Sequence, residues 1–300
     1  DKLEIQVLDD STDESVEIIA NKVHVYQLQG FDIQHVRRPE RVGYKAGALK
    51  YGTEICKGEF IAIFDADFLP NKDFLRKALP FFQNEKVGVV QSKWEYTNEN
   101  YSFLTKLQAF GLNAHFSIEQ VGRNFGDHFI NFNGTAGIWR KSCILDAGGW
   151  QADTLTEDLD LSYRAQLKSW KFIYKEDLGS PSELPVEINA LKAQQFRWTK
   201  GAAECVKKNL FKVLFNKNIN FKTKIHATFH LMNSSIFIFI MLISLLSLPL
   251  ILVKPEYDHF KYIFQLSGFF AISWLILGAF YWVSHSYGKK NKWKLLRDFF

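Results

Sequence analysis

Asp65 and Asp67 stand one residue apart at the end of the apolar run FIAIF, Phe60 to Phe64. Burial disfavours charge, so two carboxylates placed where a chain leaves an apolar core need a reason. A turn between buried elements is one. A divalent cation is the other: Mg2+ or Mn2+ takes oxygen ligands and is commonly held by one or two carboxylates plus substrate phosphates. Such an ion would neutralise a leaving diphosphate as a Lewis acid. Asp9 and Asp10 close an earlier apolar run, IQVL, in the same way. There the plainer reading is a helix cap, because Ser11, Thr12 and Asp13 all suit the start of ESVEIIANKV, and the two readings are compatible.

Three further stretches carry reactive or charged side chains. In RVGYKAGALKYG, Arg41 to Gly52, Gly43 and Gly47 permit close backbone approach while Lys45 can meet a phosphate. It lacks the Gly-Lys-Ser/Thr of a P-loop, and an ordinary helix start is the alternative. In TLTEDLDLSYRAQLKSW, Thr154 and Glu157 have capping-box spacing, and Leu155, Leu159, Tyr163 and Leu167 form a helical stripe. Asp158 then falls in the first turn, where the helix dipole favours the ionised carboxylate that a general base needs. Acids also merely decorate helix starts, so both readings stay open. In QQFRW, Arg197 suits a diphosphate and Trp198 the apolar face of a sugar ring, with an Arg–aromatic stack as the plainer account.

Up to about residue 225, short apolar runs (IQVL, FIAIF, VGVVQS) alternate with helical periodicity (SVEIIANKV, DFLRKALPFF). This predicts an α/β domain with a mostly parallel sheet covered on both faces, whose ligands bind at the carboxyl ends of the strands. Both aspartate pairs sit at that edge. Residues 229–253 and 262–286 contain no Lys, Arg, Asp or Glu. Each is long enough to cross a hydrocarbon core, which takes about 20 residues. Lys207, Lys208, Lys212, Lys217, Lys222 and Lys224 precede the first stretch, and Lys289, Lys290, Lys292, Lys294 and Arg297 follow the second. The connection carries only Lys254 and Lys261, so the α/β domain and the C-terminal tail are expected on the cytoplasmic side. Residues 201–228 mix Lys with Leu, Phe and Val, as an interfacial helix does; an amphipathic helix on the globular domain fits equally. The formal charge of +5 is modest and the basic residues are spread out, which argues against a nucleic-acid partner. Three distant cysteines suggest neither disulfides nor a zinc site. A chain that opens on a strand-like run without Met is expected to be a fragment.

In order, DDS, DAD, TED and QQFRW resemble the D, DxD, TED, QxxRW signature of the processive family 2 glycosyltransferases, which include cellulose, chitin and hyaluronan synthases. GYKAGAL, FDADFLP, NFNGTAGIWR, AGGW, TEDLDLSYRA and SELP are most similar to the cellulose-synthase-like mannan and glucomannan synthases. The resemblance runs from Leu8 into the apolar stretches. It implies a GT-A type, Rossmann-like nucleotide-sugar-binding domain over residues 1–200, truncated at its N-terminus. An interfacial segment over 201–228 and a membrane region over 229–300 with two transmembrane helices follow. It also implies that Asp9, Asp10, Lys45, Asp65, Gln194 and Arg197 bind the donor, and that Asp65 and Asp67, chiefly the latter, hold Mg2+ or Mn2+. Asp158 becomes the general base, while Glu157, Trp198, Phe132, Asn133 and Gly134 face the acceptor.

The implied activity moves glucose or mannose from UDP-glucose, GDP-mannose or GDP-glucose to the growing end of a β-1,4-linked polysaccharide, with inversion. The implied setting is a multi-pass membrane protein with a cytoplasmic catalytic domain, in a bacterial plasma or inner membrane or a eukaryotic Golgi. Non-processive transfer of one sugar to a lipid or oligosaccharide is the alternative, although such relatives normally lack QxxRW. A glycoside hydrolase needs a protonated acid and carboxylates several ångströms apart across the scissile bond, which DAD does not offer. Two downstream spans alone are not expected to form a complete polymer channel.

Overall fold

The computed structural model describes residues 2–252 and 270–286. Strand β1 (Ile5–Leu8), helix α1 (Ser15–Leu28), strand β2 (Ile33–Val36), helix α2 (Tyr44–Ile55) and strand β3 (Phe60–Ile63) come first. Helix α3 (Phe74–Ala78) passes into a 3-10 turn, Leu79–Gln83, because Pro80 cannot continue an α-helical ladder. Then follow β4 (Val87–Tyr96), α4 (Phe103–Ala114), a wide turn His115–Gln120, α5 (Val121–Phe125), β5 (Gly137–Arg140) and α6 (Lys141–Asp146). Ser102 and Thr105 form a reciprocal capping box that starts α4. The chain continues with α7 (Glu157–Leu167), β6 (Lys171–Ser182), α8 (Ile188–Phe215), α9 (Phe221–Leu231), α10 (Ile236–Leu252) and α11 (Phe270–Ser286).

β1 and β2 pair in parallel, from Ile5 opposite Ile33 to Leu8 opposite Val36. A second sheet has the order β3-β5-β4-β6. The expected mostly parallel sheet is corrected to a mixed one: β6 runs parallel to β4, but β5 is antiparallel to both β3 and β4. The cause lies in where β5 begins. Gly137 pairs with Ile63 at the end of β3 and with Gln91 in β4, so the chain enters the sheet from its carboxyl edge and must run backwards. That reversal lays the loop preceding β5, residues 131–136, across the edge where the aspartates emerge.

Alternation along β4 and β5 covers both faces of this sheet. Val89 and Trp139 point into a core with Leu49, Phe132, Cys143, Trp150 and Leu161, while Val90 and Ile138 pack with Phe74, Phe82 and Leu178. Trp139 is fully buried and makes edge contacts with Phe132, Trp150 and Phe172 at centroid distances of 5.4, 5.7 and 5.4 Å. The three cysteines are free thiols.

One helical stretch among the described residues, Phe221–Ser247, is long and apolar enough to cross a membrane by length and composition. It starts earlier than the expected span at 229, and α10 carries its apolar part through Leu252. The second expected span is described only from Phe270 on, where its apolar part, Ile272–Ser284, is shorter; residues 253–269 lie outside the described residues. Tyr281 of this helix stacks on Phe110 of α4 at 4.7 Å. Helix α8 runs unbroken through residue 200, where the sequence suggested a boundary.

Trp139→Ala leaves a void that this close-packed core cannot fill. It lowers stability by about 3–5 kcal/mol, measured by urea unfolding against the parent chain.

Candidate active site

Asp9 extends the β1–β2 ladder, its amide donating to the Val36 carbonyl, and its buried carboxylate turns back on the chain. It accepts from the Ser11 amide (2.8 Å) and hydroxyl and lies 2.7 Å from His35 Nε2. Burial raises its pKa, but the Ser11 and His35 contacts outweigh burial and pull it down to about 2. Asp10 receives a two-pronged contact from Arg38, whose remaining N–H groups donate to the Val42 and Tyr44 carbonyls. Arg38 therefore ties the first aspartate motif to the turn that launches α2. Gly43 (φ 78°) and Tyr44 (φ 46°) form that turn in the left-handed region. A side chain at Gly47 would collide with the Val42 carbonyl and the Arg38 guanidinium.

The turn aims Lys45 at Asp65, Nζ to Oδ1 2.5 Å. The Asp65 amide donates to the Thr135 hydroxyl (2.8 Å), which fastens the DAD segment to the loop before β5. Asp67 is exposed and makes no hydrogen bond or ion pair among the described residues. No group of three or more His, Cys, Asp or Glu side chains converges to hold an ion among those residues. An ion here would take protein ligands from Asp65 and Asp67 and the rest from phosphate and water, which is how Mg2+ is usually bound. The donor set fits.

Helix α7 begins at Glu157 with Thr156 as its N-cap and no side-chain capping bond, so the expected Thr154–Glu157 capping box does not form. Asp158 sits between its own helix start and Gly134, whose φ of 80° brings backbone against the carboxylate: a Cβ there would lie 2.9 Å from Asp158 Oδ2 and 3.6 Å from Lys45 Nζ. Part of the Asp158 side chain stays open to solvent, but protein surrounds it closely. Burial raises its pKa to about 7, with the Glu157 charge adding to the rise, against opposition from the Leu159 amide and Lys45. The expectation that the helix start favours the ionised form is thus corrected: loss of water outweighs the amide dipoles. Glu157 is raised as well, first by burial and further by the Asp65 charge, while Lys45 and Arg197 act to lower it.

Asp160, the third acid of this turn, is structural. It is fully buried and held by Arg164, Lys208 and Asn209. Lys208 and Asn209 belong to α8, and counting back by the helical period places Cys205, Glu204, Gly201 and Arg197 on the same face. Glu204 accepts from the Leu155 amide, and a Cβ on Gly201 would come within 2.7 Å of the Thr156 amide nitrogen. This seam sets Arg197 near Glu157.

Lys45, Asp65, Gly134, Glu157, Asp158 and Arg197 are therefore brought together, with Asp67 in the adjoining turn. Asp9 and Asp10 stand at the same edge, already engaged within the protein. Gln194 and Trp198 are half-buried on α8 and Arg197 exposed, and none of the three makes a side-chain hydrogen bond or salt bridge among the described residues. Phe132, expected on the acceptor side, is corrected to a core residue: its ring is fully buried against Trp139. Asn133 lies at the loop, its side-chain Nδ2 buried without a partner. His35, Arg38, Gln91 and Gly201 had no motif to flag them, although Gly201 follows Arg197 by one helical turn; Thr135 lies within NFNGTAGIWR, which gives it no role. A groove of about 790 Å3 between the outer face of α2 and residues 150–153 lies apart from Asp65 and Asp158.

Against solved structures, the fold matches a GT-A glycosyltransferase. A mannosyltransferase from Pyrobaculum calidifontis in complex with GDP-Man and Mn2+ superposes with a TM-score of 0.61 at 14% identity, over 97% of this chain and 78% of that one. S. aureus TarS 1-349 with UDP-GlcNAc gives 0.55 at 16% identity, over 78% and 64%. The chain belongs to the family described as glycosyltransferase like family 2, whose model matches residues 2–201. Among curated proteins it is 42% identical over 234 residues to glucomannan 4-beta-mannosyltransferase 2 of Arabidopsis thaliana, covering 76% of this chain and 44% of the relative. A probable glucomannan 4-beta-mannosyltransferase 11 of Oryza sativa subsp. japonica is 44% identical over 231 residues, covering 75% and 40%. The chain thus spans less than half the length of these relatives.

A carboxyl with a folded pKa of about 7 against an ordinary 3.8 keeps its proton in the native state where the unfolded chain has lost it. Stability therefore falls as pH rises through that window and stays lower above it. Asp158→Asn removes the penalty, so its melting temperature exceeds that of the parent by about 5 °C at about pH 8 and hardly at all at about pH 4, followed by circular dichroism.

Proposed function

We propose that this chain is the catalytic portion of a membrane-bound, inverting hexosyltransferase that extends a β-1,4-linked mannan or glucomannan from a nucleoside-diphosphate sugar. The observation that carries the reading is the placement of Asp158, raised to about 7, against Gly134 and one step from the Lys45–Asp65 pair. A base poised near neutrality suits proton abstraction from a sugar hydroxyl. Identity to the glucomannan 4-beta-mannosyltransferases favours a mannosyl donor with GDP as leaving group, and GDP-glucose and UDP-glucose are the other donors to test.

The donor lies over the carboxyl edge with its diphosphate near Lys45 and Arg197. Bound at Asp65 and Asp67, Mg2+ or Mn2+ supplies Lewis-acid neutralisation of that diphosphate. Asp158 accepts the proton of the acceptor's 4-hydroxyl as its oxygen attacks the anomeric carbon. The C–O bond to the diphosphate breaks in the same displacement, so an α-linked donor yields a β-linkage. Trp198 offers an apolar face to the growing end. The stretch Phe221–Ser247 anchors the protein as one of several spans, with the catalytic portion on the cytoplasmic side, as in a Golgi membrane protein.

Membranes carrying the full-length protein are incubated with labelled GDP-mannose, GDP-glucose and UDP-glucose, and the product is digested with linkage-specific hydrolases. A β-1,4-linked polymer is expected; a single sugar on a lipid would support the non-processive alternative instead. Asp158→Asn lowers transfer by about 10²–10⁴-fold with donor KM little changed, and parent kcat/KM falls as pH drops through about 7. Asp67→Asn raises the Mn2+ concentration needed for half-maximal activity about tenfold or more.

A further inference from the structure

Gln91 stands in the middle of β4 with no solvent exposure, and its side-chain amide is spent entirely on backbone. Nε2 donates to the carbonyls of Ser92 (2.9 Å), Ala136 (3.1 Å) and Thr135 (3.2 Å), and Oε1 accepts from the Asn133 amide (3.0 Å). Three of these four contacts grip residues 133–136. That loop holds two left-handed conformations, Gly134 at φ 80° and the non-glycine Ala136 at φ 56°. Such backbone persists only where its surroundings over-determine it. The Ser92 hydroxyl, donating to the Ala136 carbonyl at 2.6 Å, is the other side-chain tie from β4.

The gripped loop meets both halves of the site. Through Thr135 it receives the Asp65 amide, and through Gly134, held at φ 80°, it abuts Asp158, where an added Cβ would lie 2.9 Å from Oδ2, with Lys45 Nζ in contact range at 3.6 Å. We infer that Gln91 is a positioning residue: it holds the Gly134 backbone where an acceptor hydroxyl, rather than water, reaches Asp158 beside the donor. The inference rests on the reading of Asp158 as the base. In either reaction an oxygen bonds to the anomeric carbon, the bond to the diphosphate breaks with its electron pair, and the proton passes to Asp158. Transfer and hydrolysis differ only in which oxygen occupies the gap. A loop relaxed by about 1 Å admits water and loosens the burial of Asp158.

Gln91→Glu keeps an acceptor for the Asn133 amide but sets a carboxylate against three carbonyls; Gln91→Asn keeps the amide but falls short of the loop. Both are made in the full-length protein in membranes and assayed with whichever of GDP-mannose, GDP-glucose and UDP-glucose the parent turns over. Polymer transfer and release of sugar without acceptor are measured across pH. The transfer-to-hydrolysis ratio is expected to drop about tenfold or more in both, with the acidic limb of the pH profile displaced to lower pH in Gln91→Asn, which adds no charge. Simple loss of folded protein scales both reactions equally and leaves the pH profile in place, so an unchanged ratio and limb in the variant that folds overturns the inference. Asp158→Asn is run alongside. If it retains transfer, the reading of the base fails; if it is inactive while the Gln91 variants keep the parent ratio, the positioning role alone fails.

Discussion

Three carboxylates, Asp65, Glu157 and Asp158, share the field of one ammonium group, Lys45. Like charges gathered out of water repel one another and lose hydration, and Lys45, even with the Arg197 guanidinium acting on Glu157, does not neutralise three acids. Asp158 answers by holding its proton up to about neutrality, and Glu157 shifts the same way. A ligand that brings compensating charge, or an acceptor whose proton can be taken, acts on a site already short of cation. The arrangement is unfavourable for folding, so the surrounding structure has to enforce it.

The enforcement comes from polar groups that take no charge into the site. Arg38 spends its guanidinium on Asp10 and two carbonyls, which fixes the turn ahead of Lys45. Gln91 fixes the loop that carries Gly134. Asp160, compensated by Arg164, Lys208 and Asn209, locks α8 to the start of α7. Removing one partner of such a buried pair would leave an uncompensated charge, a cost that the exposed Asp67 does not carry. Glycine has the complementary part: at positions 47, 134 and 201 the backbone approaches a neighbour too closely for a side chain.

Much of this was legible in the sequence. The strands ahead of DDS and DAD and the helix carrying TED followed from periodicity, and DDS and DAD stood out because each sets charge at an abrupt end of an apolar run. What stayed hidden depends on partners far apart in the chain. The antiparallel course of β5 is set by Gly137 meeting Ile63 and Gln91, and GIWR reads alike in either direction. Phe132, placed on the acceptor side by the family resemblance, has its ring buried in the core. Gln91 sits in VGVVQS where the apolar run turns polar, and only the loop folded across it shows what its amide does. The direction of the Asp158 shift was likewise misjudged, since a helix start is local and burial is not.

Helix α8 has a consequence of its own. It is one unbroken rod from Ile188 to Phe215, and from Trp198 to its end it spans about 26 Å at 1.5 Å per residue. Its first half is clamped to α7 and the residues just before it by Gly201, Glu204 and Asn209, and beyond its far end the chain re-enters helix at Phe221. Residues 216–220 turn the chain there, and α9 packs back along α8, sharing a core with it through Cys205, Val213, Ala227 and Leu231. One residue added to α8 between Gly201 and Asn209 would turn everything after it by about 100°, so the contacts that seat α8 on the start of α7 hold only when their spacing is kept in whole helical turns.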